Sequence, residues 1–135
     1  EGFFQRRLRL AMAQRDALQV PRQSNAYRLV SAESDGLPGL IVDRYSDFLV
    51  CQFLSAGVEA WKPEIIRQLQ TLLHPRGIYE RSDVGVRKKE GLQQLQRNLL
   101  GATPDLVEID EQGLKFHVSI KQINTSLPAL CSRTN

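Results

Sequence analysis

The sequence predicts an α/β domain of the α+β type: an N-terminal helix, an antiparallel β-meander, a helix packed on the sheet, a further strand and a C-terminal β-hairpin. Three observations predict it. Residues 2–19 and 58–73 carry apolar side chains at three- and four-residue spacing, the period of a helix with one buried face. Between them lie short apolar runs separated by turn residues, the pattern of a meander. Near the end, residues 114–120 alternate apolar and polar, the period of a half-buried strand. With 135 residues the chain is one domain's worth, enough to bury roughly 65–70% of its unfolded surface.

In the first helix Phe4, Leu8, Ala11 and Leu18 form the apolar face, and Arg6, Arg7, Arg9 and Arg15 stand mostly elsewhere. Pro21 stops it. A chain that starts at once on an amphipathic helix, without an initiator Met, suggests a neighbour upstream. Residues 27–32 and 40–45 read as strands, joined by the loop SDGLPG at 34–39. Ser46 and Asp47 make a tight reversal into 48–54, apolar at almost every position and therefore a central strand covered on both faces. In the second helix Val58, Trp61, Ile65, Leu69 and Leu72 form one stripe, and Pro63 suits a first turn. Trp61 on that stripe reads as core or helix–sheet contact ahead of a base-stacking platform. His74 and Pro75 close the helix, and 77–81 is the next strand. In residues 90–104 Leu92, Leu95 and Leu99 suit a short helix ended by Gly101 and Pro104. The hairpin pairs 106–109 with 114–120, with Leu114, Phe116, Val118 and Ile120 on the core side and Lys115, His117, Ser119 and Lys121 toward water. Residues 1–121 thus form the domain, and 122–135 an irregular tail.

Composition excludes several classes. No apolar run reaches the roughly 18–20 residues of a membrane helix, and no secretory leader pattern is present. Cys51 and Cys131 are two unclustered thiols, which fits a reducing cytoplasm better than a disulfide scaffold. Without CxxC, and with His74 and His117 isolated, no zinc site is expected. Neither GxGxxG nor GxxxxGK[ST] occurs, so Gly36 and Gly39 belong to a turn. Asp35, Asp43 and Asp47 cluster in sequence, as metal ligands or an acid–base pair would, but they fall at turns of the predicted meander, where Asp is ordinary. Cys51, inside an apolar strand, reads as a small buried hydrophobe with a raised thiol pKa.

The net charge of +3 is unevenly spread. Residues 1–28 hold six Arg against two acids, 29–80 hold four cations against seven acids, and 81–97 hold five cations against two. Arg outnumbers Lys 13 to 5, and its planar fork suits phosphate. The stretch IYERSDVGVRKKEGL at 78–92 begins as a strand and ends as a cationic loop. Arg81, Arg87, Lys88 and Lys89, set among glycines, are candidate polyanion contacts, with Asp83 orienting one of the cations. Tyr79 could stack on a base, but an aromatic in a short central strand belongs more often to the core.

Four stretches, in order, resemble the ribosomal RNA large-subunit methyltransferase I family: YRLVSAESDGLPGLIVDRY at 27–45, LSAGVE at 54–59, the run 78–92, and IDEQGLKF at 109–116. The likeness extends over about residues 3–120. It implies an S-adenosylmethionine-dependent enzyme making 5-methylcytosine in 23S rRNA, in which an RNA-binding PUA domain precedes this domain and a Rossmann-like catalytic domain follows it. It further implies that this chain is the linking, RNA-positioning middle piece. No catalytic or cofactor-binding residue is assigned here, because the family's cofactor loop and catalytic cysteine would lie beyond Asn135, and Cys51 and Cys131 do not match that cysteine. The family continues after the hairpin into a KTGFFLDQR-like segment. Here only Leu130 and Arg133 fit it, which leaves a degenerate paralogue, a shifted frame or a truncation open. The alternative is a non-catalytic module that self-associates, for example as a homodimer through the first helix.

Overall fold

Strand β3 (Phe48–Phe53) is buried at every position and lies at the centre of a five-stranded sheet. In the computed structural model, which describes residues 2–18, 25–82, 95–101, 104, 106–111 and 113–119, the sheet order is β1 (Ala26–Ser31), β2 (Leu40–Tyr45), β3, β4 (Gly77–Ser82) and β5 (Leu95–Leu100). The β1–β2 and β2–β3 pairs are antiparallel, as the meander predicts. The β3–β4 pair is parallel, with Cys51 opposite Glu80, and β4–β5 is antiparallel again. A parallel pair needs a crossover. It is supplied by α2 (Ala56–Ala60) and α3 (Lys62–Leu73).

Three layers result. On one face lie α1 (Gly2–Ala17), α2 and α3. Phe4, Leu8 and Ala11 of α1 and Val58, Ile65 and Leu69 of the crossover meet Leu40, Val42, Leu49, Cys51, Phe53 and Ile78 of the sheet. On the other face the hairpin β6 (Val107–Glu111) and β7 (Leu114–Val118) lays Val107, Ile109 and Val118 over Ala26, Tyr45, Phe48, Val50 and Tyr79. Two-residue alternation along β3 divides its side chains between the two cores. In β1 a bulge between Arg28 and Val30 interrupts the period, so that Leu29 and Val30 both enter the helix-side core.

The connections follow local chemistry. The Ser46–Asp47 reversal is tied on both sides: the Ser46 N–H donates to the Asn25 carbonyl, and the Arg76 N–H to the Asp47 carbonyl. The Ser55 hydroxyl caps α2 by accepting the Val58 N–H. His74, in the left-handed region at φ 49°, ends α3. Gly39, at φ 87°, sits against Ser55; a Cβ there would collide with Ser55 Oγ and lie 2.8 Å from Ser55 Cβ. The DGLPGL and LSAGVE stretches therefore meet in space.

Four expectations are corrected. Residues 95–100 form a strand where leucine spacing suggests a helix, because β4 otherwise presents an unpaired row of N–H and C=O groups and β5 satisfies it. The predicted single helix at 58–73 is broken at Trp61, before Pro63 opens α3. Trp61 is not core: it is 52% exposed. Asp43 lies within β2, not at a turn. The tail at 122–135 and Cys131 fall outside the described residues. Among the described residues no helix is long and apolar enough to cross a membrane.

Candidate nucleic-acid interface

The candidate site is the end of β4. Side chains alternate there, so Ile78, Glu80 and Ser82 point toward the helices, and Tyr79 and Arg81 to the opposite face. Glu80 is fully buried, and a lone carboxylate there would be untenable. Lys62, the first residue of α3, supplies the partner, with Nζ 2.8 and 3.0 Å from the two Glu80 oxygens and 3.0 Å from Glu59 Oε2. The same ammonium lies 4.9 Å from the centroid of the Phe53 ring. Ser82 Oγ accepts the Phe53 N–H at 3.0 Å. The last inward residues of β4 are thus fixed to both the helix and the neighbouring strand.

Arg81 is partly buried and pairs in register with Gln96 of β5. Ser82 pairs with Leu95, so residues 83–94 join two adjacent strand ends. The candidate contacts Asp83, Arg87, Lys88 and Lys89 lie in that connection, outside the described residues. Tyr79 is buried in the hairpin-side core, as expected of a central-strand aromatic.

The three clustered aspartates separate into different environments. Asp35 accepts from Arg15 Nη1 and Nη2 at 2.8 and 3.0 Å and from the Ser31 N–H at 2.6 Å. Burial acts to raise its pKa, but the hydrogen bonds from Arg15 and Ser31 and the Arg15 charge prevail and hold it below the usual carboxylate value. Asp43 faces Arg28 across the β1–β2 pair at 2.8 and 3.2 Å. Burial there outweighs the guanidinium and raises the carboxyl's pKa. Asp47 is exposed, 4.0 Å from Arg76. Among the described residues no group of three or more His, Cys, Asp or Glu side chains is placed to hold a metal ion. Burial, and then the Glu80 and Asp43 charges, push the Cys51 thiol far above its ordinary range, so it is inert. His117 is exposed on the outer side of the hairpin.

The sequence alone does not reveal the Lys62–Glu80 and Arg15–Asp35 pairs. A signal for the first is present: Glu80 shares the parity of Ile78, so a charge on a core-facing position demands a partner. The Arg15–Asp35 pair has no such signal, because its members are 20 residues apart and on unlike elements.

The same fold is found within two solved structures. A candidate S-adenosylmethionine-dependent methyltransferase from Streptococcus mutans superposes with TM-score 0.72 at 22% identity, over 93% of this chain and 31% of its own. A second candidate methyltransferase, solved with SAH, gives TM-score 0.73 at 21% identity, over 90% and 30%. Sequence relatives are more specific. Ribosomal RNA large subunit methyltransferase I of Pseudoalteromonas atlantica is 48% identical over 121 residues, 90% of this chain and 31% of that protein. Its counterparts in Aeromonas salmonicida and Escherichia coli are 52% and 48% identical, over 88% and 89% of this chain. No protein-family model matches. The chain is a homologue of one portion of the ribosomal RNA large subunit methyltransferase I proteins, and spans about 30% of their length.

Proposed function

We propose that residues 1–121 act as the linking and RNA-positioning middle domain of an S-adenosylmethionine-dependent rRNA (cytosine-C5) methyltransferase, in the cytoplasm, on 23S rRNA. Arg81, Arg87, Lys88 and Lys89 face the RNA backbone, and Asp83 orients one of the cations. S-adenosylmethionine serves the whole enzyme, and methyl transfer by this chain alone is not expected. The observation that carries this reading is the identity of about half the residues with rRNA methyltransferases over nearly the whole chain. The pinned end of β4 supports it, since a phosphate-contacting loop gains from fixed ends. Cations of this kind position RNA and contribute a salt-dependent affinity without reading sequence.

The test is a salt titration of binding to an rRNA fragment. Arg87→Ala combined with Lys88→Ala should weaken binding and lower the slope of log affinity against log salt by roughly 1–2, about one for each phosphate no longer neutralised. An unchanged slope removes the loop from the interface. A second reading, self-association through the outer side of α1, draws support from exposed Leu10 (49%) on the helix and Leu18 (70%) just past its end. Light scattering on the free chain distinguishes it by mass.

A further inference from the structure

We propose that the groove between the start of α1 and the α2–α3 junction is a stacking subsite for an unpaired base of single-stranded RNA, with Trp61 as its platform. The inference rests on the RNA-positioning reading above and adds a second contact to it.

Trp61 sits where α2 gives way to α3, and the residue is 52% exposed. Its side toward the protein is held by Phe4, with centroids 5.6 Å apart at 47°. Phe4 in turn meets Phe3 edge-on at 5.2 Å, and Phe3 is itself 43% exposed. The rings line a groove of about 280 Å³ with Pro38, Ser55 and Val58. That is below the volume of drug-sized pockets and suits a single planar ring.

Charge decides the occupant. The Arg7 guanidinium lies 5.5 Å from the centroid of the Phe3 ring, at the lip of the groove. Arg6 and Arg9 are exposed on the same helix, and among the described residues no carboxylate pairs with any of the three. Exposed aromatic faces beside unneutralised arginines are what single-stranded nucleic acid requires: rings for the bases, cations for the backbone. An apolar protein partner would use the rings but leave the Arg7 guanidinium at its margin.

Topology places the groove at the end of the sheet from which the 83–94 connection departs. β3 and β4 run parallel, so their C-terminal ends share one end of the sheet. Ser55 lies two residues past β3, the 83–94 connection begins immediately after β4, and the Ser82–Phe53 hydrogen bond joins the two strands at that end. One RNA strand can therefore meet both.

Trp61 is the only tryptophan, so its emission reports on this site alone. Titration with a short single-stranded oligoribonucleotide at low salt should quench that emission saturably. Trp61→Ala should weaken binding by roughly tenfold or more. Trp61→Phe should keep most of the affinity, and Trp61→Leu, which restores apolar cover without a stacking face, should not. Arg87→Ala with Lys88→Ala should lower affinity yet leave the quench at saturation intact. RNA binding with unchanged emission, or wild-type affinity in Trp61→Leu, overturns the subsite. Loss of affinity in the Trp61 variants alone, with the loop variant binding normally, keeps the subsite and removes the loop. If the free chain is a dimer by light scattering and its emission follows protein concentration but not RNA, the groove is a self-association surface and the proposal falls. A wild-type chain that binds no RNA refutes both readings.

Discussion

Asp35 shows what single residues do and do not disclose. The carboxylate that opens DGLPGL is ordinary turn chemistry when read alone. In the fold it receives three hydrogen bonds, two from Arg15 and one from Ser31, and its side chain is 2% exposed. The same guanidinium donates through Nε to the Arg28 carbonyl, so one side chain ties α1 to β1 and to the turn after it. Asp35→Asn would leave Arg15 without its counter-charge and should cost about 1–3 kcal/mol at neutral pH. The sign of the pH dependence follows from the lowered folded-state pKa. Above the ordinary value of 3.8 both states are ionised and the whole contribution is present. As pH falls through that value the unfolded chain takes up protons first, and stability is lost down to the folded-state pKa. Thermal unfolding of wild type and Asp35→Asn from neutrality downward should therefore converge in that acid window. A difference in melting temperature that stays constant throughout would show that ionised Asp35 contributes nothing.

At the scale of elements, legibility followed the strength of each segment's own pattern. β2 and β3 were readable because apolar content and the Ser46–Asp47 turn agreed. β5 was not, since Gln96, Arg97 and Asn98 carry no strand signal and the open edge of β4 makes the strand. The break at Trp61 was masked by a stripe that continues across it in sequence. The candidate site was readable as a charged stretch, but its supports were not, because Lys62 and Glu80 lie 18 residues apart on a helix and a strand. That pair defines the attachment of α3 to β4. Removing one member strands a buried charge, so Lys62→Met should cost about 3–5 kcal/mol. Lys62→Met with Glu80→Leu should recover most of that loss, because a buried ion pair stabilises little more than well-packed apolar side chains. Urea unfolding of both singles and the double closes the cycle. If the double is as unstable as the sum of the singles, the two side chains act independently and the pair does not join the elements.

For the whole molecule, the question is whether two cores on opposite faces of one sheet make one cooperative unit. They share β1 to β4, and adjacent residues of β3 serve opposite sides: Leu49, Cys51 and Phe53 toward the helices, Phe48 and Val50 toward the hairpin. The hairpin has further ties, since Asn25 Oδ1 accepts the Asp110 N–H at 2.7 Å and the Asn25 N–H donates to the Asp110 carbonyl at 3.0 Å. Melting either layer would expose backbone that the other needs ordered, so the layers should unfold together. Leu69→Ala on the helix side and Ile109→Ala on the hairpin side, both fully buried, should each cost about 2–5 kcal/mol. In each variant Trp61 emission, which reports on the helix layer, should follow far-UV circular dichroism through one transition. If Ile109→Ala loses sheet signal while Trp61 emission still reads native, the hairpin is an autonomous cover. The surface holding Arg81 would then be separable from the groove at Trp61, and a single RNA strand could no longer be assumed to meet both as one rigid face.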